Sequence, residues 1–169
     1  GYIGSHCRFT SLPSYDEIRE GLVEVGEGRS RINKLQIPDE IKDQKISQLR
    51  RIASFLYGAN EHTTRLFKDL DVNDIQLYNW ANTEPIRVSF GFFGKEYGAF
   101  YIKEFDERRL VGLELEDMLG PYKFTYVAGG GGIYEDEVRG IEAAYVDDSE
   151  KSDVRFKEEI MTLDHRMFV

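Results

Sequence analysis

Four side chains in the second half of this chain have the chemistry of proton transfer. Tyr97 and Lys103 lie in one aromatic-rich stretch, and Glu135 and Glu137 form a Glu-x-Glu pair further on; a second such pair is Glu114 and Glu116. A phenol, an ammonium and a carboxylate can give or take protons once burial and neighbouring charges move their pKa values. These are the candidate catalytic residues. The candidate binding residues are Tyr97, Tyr101, Tyr126 and Tyr134, whose rings combine an apolar body with a polar tip, together with Gly130 and Gly131.

Other chemistries find less support. His6, His62 and His165 are far apart in the chain, and no Cys–His cluster has zinc-ligand spacing, so neither a metal nor a cofactor is called for. Asp147, Asp148 and Glu150 lack the loop of a calcium hand and read as a solvated acidic turn. Asp164 and His165 would point to opposite faces of a strand. Cys7 is the one cysteine, which excludes an intrachain disulfide and favours a reducing, cytoplasmic setting. Gly129 to Gly132 tolerate unusual backbone angles and read as a hairpin loop or a flap. Acidic residues follow them, where a phosphate loop would need Lys and Ser or Thr.

Three stretches resemble motifs of known families. Gly1-Tyr2-Ile3-Gly4-Ser5-His6 is similar to the end of the glycine fingerprint of nucleotide-sugar epimerases, but no strand precedes it and the next helix starts too late to meet a pyrophosphate. Gly91-Phe92-Phe93-Gly94-Lys95, followed by Ile102-Lys103, resembles the glycine-rich loop and strand lysine of protein kinases. The separation is short, and no His-Arg-Asp or Asp-Phe-Gly segment follows. Phe93-Gly94-Lys95-Glu96-Tyr97 resembles a segment that lines the NAD pocket of poly-ADP-ribose polymerases. That resemblance implies NAD-dependent ADP-ribosyl transfer in a pocket between helices and sheet, carried by Tyr97, Lys103 and Glu135 or Glu137.

The elements that must position these residues divide the chain in two. Ser14 with Glu17 forms a capping box for a helix with Ile18, Leu22 and Val25 on one stripe, ended by Gly26. Residues 26–36 read as a polar connection. Pro38, Asp39 and Glu40 open a second helix whose stripe is Ile46, Leu49, Ala53 and Leu56, stopped by Gly58. Asn60 predicts a third helix carrying Leu66, Phe67 and Leu70, and a short fourth would start near Asn73. After Pro85 the period becomes two. Val88, Phe90 and Phe92 alternate, a turn falls at Gly94-Lys95, and Phe100 and Ile102 alternate on the return. Further strands are predicted over 109–115, 122–127 and 138–146, and over 154–163 with less regular alternation. The expectation is a single domain over 1–169 of α+β class, with three to four N-terminal helices (1–84) packed on a C-terminal antiparallel sheet of five to six strands (85–169).

Charge bounds the function. The net charge is −9: residues 1–84 carry 11 basic and 13 acidic side chains, and residues 85–169 carry 11 and 18. Such a surface repels phosphates and anionic lipid, so neither nucleic acid nor membrane is an expected partner. No apolar run reaches the roughly 18–20 residues of a membrane span. The sequence points to a soluble acidic module, of inhibitor, immunity or adaptor type, that binds a basic protein partner through a tyrosine-rich, acid-rimmed sheet. The NAD-handling enzyme is its rival.

Overall fold

The computed structural model describes residues 11–26, 31–58, 67–79, 81–120 and 125–137. They belong to two compact units, Gly1–Leu110 with Thr125–Glu137, and Val111–Phe124 with Val138–Val169. The first unit holds a seven-stranded antiparallel sheet. Its strands are β1 (Val23–Val25), β2 (Ile32–Gln36), β3 (Asp71–Tyr78), β4 (Ile86–Phe92), β5 (Lys95–Glu104), β6 (Tyr126–Gly129) and β7 (Gly132–Asp136). They lie in the order β1-β2-β3-β4-β5-β7-β6. The described helices are α1 (Tyr15–Arg19), α2 (Lys42–Tyr57) and α3 (Glu107–Leu119). The described part of the second unit is α3 from Val111 onward, with Gly120.

The predicted layout of N-terminal helices on a five- or six-stranded C-terminal sheet is therefore corrected. Three of the seven strands come from the first half, and the sheet dominates. The expected polar connection includes β2, where Asn33 and Leu35 are buried between exposed Ile32, Lys34 and Gln36. Asn33, whose polarity argues against a core face, turns inward because its amide donates to the Glu24 carboxylate at 2.9 Å. The expected short helix near Asn73 is β3. Its alternation is broken by an irregularity between Val72 and Asp74, so Ile75 and Tyr78 mimic a helical spacing while Ile75 and Leu77 share the buried face.

The expected strand over 109–115 is α3. The Asp106 carboxylate accepts from the Arg108 amide at 2.9 Å, and the Asp106 carbonyl accepts from the Leu110 amide at 3.0 Å. This is the helix-start chemistry of an Asp cap, and it overrides a two-residue alternation. α1 stops at Arg19 because Gly21, at φ +78, turns the chain into β1, so Val25 belongs to a strand rather than to the predicted helical stripe. Residues 59–66, 121–124 and 138–169 lie outside the described residues, and with them most of the predicted third helix and the last two predicted strands.

The sheet's first face is its core. Leu49, Ile52, Ala53 and Leu56 of α2 join Leu35, Leu77, Val88, Phe90, Phe100 and Tyr134 in one buried cluster. Each large apolar side chain so buried contributes roughly 1.5–3 kcal/mol, so α2's three amount to much of a domain's net stability. Tyr57, at the end of α2, donates to the Asp136 carboxylate at 2.6 Å and fixes the helix to β7. The capping box at Ser14 and Glu17 forms, with bonds of 3.1 and 2.7 Å.

Gly130 and Gly131 make the two-residue turn of the β6–β7 hairpin, both with positive φ (+63° and +91°). This turn is seated on the chain entering α1: a Cβ on Gly130 would lie 2.0 Å from the Leu12 carbonyl oxygen, and one on Gly131 would lie 3.1 Å from the Ser14 Cβ. Tyr134 reinforces that seat by donating to the Pro13 carbonyl. Gly130→Ala must therefore push the turn off Leu12 and accept left-handed backbone, at a cost of about 2–3 kcal/mol. Urea denaturation reads this as a lower midpoint at unchanged slope, and Gly112→Ala, at an exposed helical position where a Cβ meets nothing within 4 Å and no positive φ is required, is the unstrained control.

Candidate functional site

Strand alternation sends Arg87, Tyr101 and Lys103 to the second face of the sheet. Their neighbours across the ladder are fixed by register: Arg87 faces Tyr101, and Tyr101 faces Glu135. The result is a network in two halves. Arg87 binds Glu137 through both carboxylate oxygens, at 2.8 and 3.0 Å, and the Tyr101 hydroxyl donates to the same carboxylate at 3.1 Å. Arg109, in the first turn of α3, binds Glu135 through two bonds of 2.8 and 2.9 Å, and Lys103 Nζ reaches it at 2.6 Å.

Two-point Arg–carboxylate pairing is the strong form of the contact, and the participants are largely shielded from water. Burial pulls the Lys103 ammonium below its ordinary pKa, opposed by Glu135 and assisted by Arg109. Arg87 is held above its ordinary value, chiefly by its hydrogen bond to Glu137. The Tyr101 phenol is raised, first by burial and then by Tyr78, whose ring meets it edge-on at 5.8 Å.

The candidate residues separate between the two faces. Lys103, Glu135, Glu137 and Tyr101 come together in this network. Tyr97 does not join them. β5 carries a bulge opposite Phe90 and Gly91, because Phe90 pairs with Gly98 while Gly91 pairs with Glu96. The extra residue is Tyr97, and its ring turns to Phe90 and Phe92 at 5.9 and 5.7 Å, on the side of the core cluster. Tyr126 and Tyr134 are 1 % and 0 % exposed and present no surface. Gly130 and Gly131 serve the turn against Leu12 and Ser14. Gly91, which carries the resemblance to a phosphate-covering loop, has a local structural reason: a Cβ there would fall 1.9 Å from the Lys95 carbonyl oxygen.

The hairpin tip is the other notable locus. The turn is Phe93–Gly94 rather than the expected Gly94–Lys95, since Phe92 pairs with Lys95. Both turn residues have positive φ, +53° and +74°, the mark of the mirror-image turns that suit two-residue hairpins. Asn-Gly fills such turns at least cost; a bulky side chain at the first position is strained. Phe93 occupies it and is 93 % exposed, with Tyr97 65 % exposed beside the same turn.

Sequence reasoning passed over Arg87, Arg109 and Phe93. For Arg87 and Phe93 a signal existed: Arg87 alternates with Val88 on β4, and Phe93-Gly94 stands where Asn-Gly is expected. Arg109 carries none, because the alternation over 109–115 predicts a strand where the chain forms α3. No family model, curated protein or solved structure matches the chain. Among the described residues no group of His, Cys, Asp or Glu is arranged to hold a metal ion, and no helix is long and apolar enough to cross a membrane.

Glu135→Gln leaves the Lys103 ammonium buried without its counter-ion and removes the anchor of Arg109. A loss on the order of 2–3 kcal/mol is expected, at the low end for buried pairs because Arg109 is partly exposed. Lys103→Met added to Glu135→Gln recovers part of it, and chemical denaturation of both variants tests the coupling.

Alkaline titration reads a second consequence. Burial is the first cause of the raised pKa of Tyr15, Tyr57, Tyr101 and Tyr134, so each stays protonated in the folded chain after the unfolded chain ionises near pH 10. The stability they contribute is complete below that pH and is lost as pH rises above it. Lys103 has the opposite sign, since its lowered pKa lets stability rise toward about pH 10.4, but one lysine opposes four tyrosines. Phenolate absorbance near 295 nm should therefore rise in two phases, the second coinciding with loss of circular dichroism.

Proposed function

We propose that this chain is a protein-binding module, of the inhibitor, immunity or adaptor kind, that presents the β4–β5 hairpin tip to a protein partner. The observation that carries this reading is Phe93: an aromatic side chain 93 % exposed, on a non-glycine residue held at φ +53°. A residue in a costly backbone state with no packing in return is the pattern of a position kept for contact rather than for stability. Exposed aromatics of this kind are the anchors of protein interfaces, where one ring entering a partner's pocket supplies much of the affinity. Tyr97 adds a second ring at the same end, braced by Phe90 and Phe92.

The ionic network supports the reading indirectly. Lys103 is committed to Glu135, and Glu137 to Arg87 and Tyr101. Proton transfer by Lys103 or either glutamate would require breaking the bonds that join Arg87, Tyr101, Lys103 and Arg109 to these carboxylates. Tyr97 turns to the core side, away from them.

Phe93→Asn separates contact from stability. Asparagine suits the turn, so the variant should gain roughly 1 kcal/mol and melt a few degrees higher. It should also lose the partner. With a photoreactive benzoylphenylalanine at position 93, irradiation in extract of the source cells should give one cross-linked species. Unlabelled wild-type chain should compete it and Phe93→Asn should not, and the same probe at Lys34 should give none. A Phe93→Asn variant that is no more stable, or a cross-link it competes as well as wild type, would sink the assignment.

A further inference from the structure

The chain's net charge argues for a basic partner, yet one concave part of its surface has the opposite sign. A cleft of about 770 Å³ runs between the outer face of α2 and the segment leading into β3, with Lys42, Arg50, Arg51 and Lys68 around it against Asp43 and Asp71. Among the described residues, Lys42, Arg51 and Lys68 form no ion pair, and Arg50 is committed through Nε to the Leu70 carbonyl at 2.9 Å. This contrasts with the second face of the sheet, where Arg87, Lys103 and Arg109 each have a carboxylate. Half-buried Ile46 and Val72, with Phe67 beneath, give the cleft an apolar floor. Its volume is within the range of sites that take a ligand.

We infer that this cleft docks an acidic peptide segment with interspersed apolar side chains, supplied by the protein partner. The inference rests on the protein-binding reading above, because the two surfaces adjoin: Phe67 of the floor packs against Phe92 at 5.6 Å, next to the turn that carries Phe93. Charge complementarity decides the occupant. At physiological salt, charges more than about 8 Å away are largely screened, so a segment lying in the cleft meets chiefly its lining, where four cations against Asp43 and Asp71 leave a positive excess. The apolar floor calls for side chains that a bare polyanion lacks. An extended segment alternating Glu with Leu or Phe meets both demands, since alternate residues of a strand point opposite ways.

The probe is a fluorescein-labelled peptide Glu-Leu-Glu-Phe-Glu-Leu-Glu, titrated with the full chain by fluorescence anisotropy. It should bind at least about tenfold tighter than its counterpart with Lys for each Glu, and weaken as salt rises. Arg51→Glu combined with Lys68→Glu, both exposed, should lower its affinity at least about tenfold at unchanged melting temperature. Phe93→Asn should leave it unaltered. Equal affinity for the two peptides, or unaltered affinity in the double variant, overturns the inference. So does ATP or a single-stranded oligonucleotide displacing the peptide at lower concentration than the peptide itself binds, which would make the cleft a small-anion or nucleic-acid site. Loss of peptide binding with the position-93 cross-link intact removes the cleft assignment alone; the reverse outcome removes the hairpin reading alone.

Discussion

The pairing of Ile86 with Ile102 and of Val88 with Phe100 sets the register of the central hairpin, and the rest of the molecule follows from it. With those four side chains on one face, Arg87, Tyr101 and Lys103 are directed to the other, because a strand has only two faces. A slip of one residue would exchange them, burying three polar groups under α2 and exposing the aromatic core. The bulge at Tyr97 lets the hairpin keep this register and still close with a two-residue turn. Gly91 is the local condition for it, since the Lys95 carbonyl occupies the space a side chain would need.

The second face shows how an acidic chain builds a shielded polar layer. Three cations meet two carboxylates, and each carboxylate accepts from more than one donor. The members come from β4, β5, the end of β7 and the first turn of α3, so one network locks four elements. Such a network stabilises only when every member is satisfied. That is why Glu135, which serves two cations at once, matters more to the architecture than its place in an acidic run suggests.

Much of this was legible in the sequence, and the failures have physical causes. The capping box at Ser14 and Glu17, the stripe and Gly58 stop of α2, and the alternation of β4 and β5 are local signals that tertiary packing leaves in place. β2 was hidden because Asn33 faces inward, satisfied by Glu24, a contact between residues of different strands that no local pattern reveals. β3 was hidden by its irregularity at Asn73, and α3 by a chance alternation of Val111, Leu113 and Leu115 that the Asp106 cap overrides. At the candidate site, Lys103 and the two glutamates were within reach of pattern reasoning. Their partners Arg87 and Arg109 depended on cross-strand register and on a helix, both of which require the fold first.

Phe93 stands apart from all these devices. Elsewhere among the described residues positive φ falls on glycines, or on Glu84, whose carbonyl accepts from the buried Tyr15 hydroxyl at 2.7 Å. At Phe93 no packing offsets the strain, because the ring is almost wholly in water. A chain optimised for stability alone would place asparagine there and lose nothing in its core. The aromatic ring brings one property that asparagine lacks, a large rigid apolar surface carried with little side-chain entropy, and that property has value only when something covers it. The strain in the turn and the exposure of the ring are then one fact seen from two sides, and both are what the proposed contact with a partner would use.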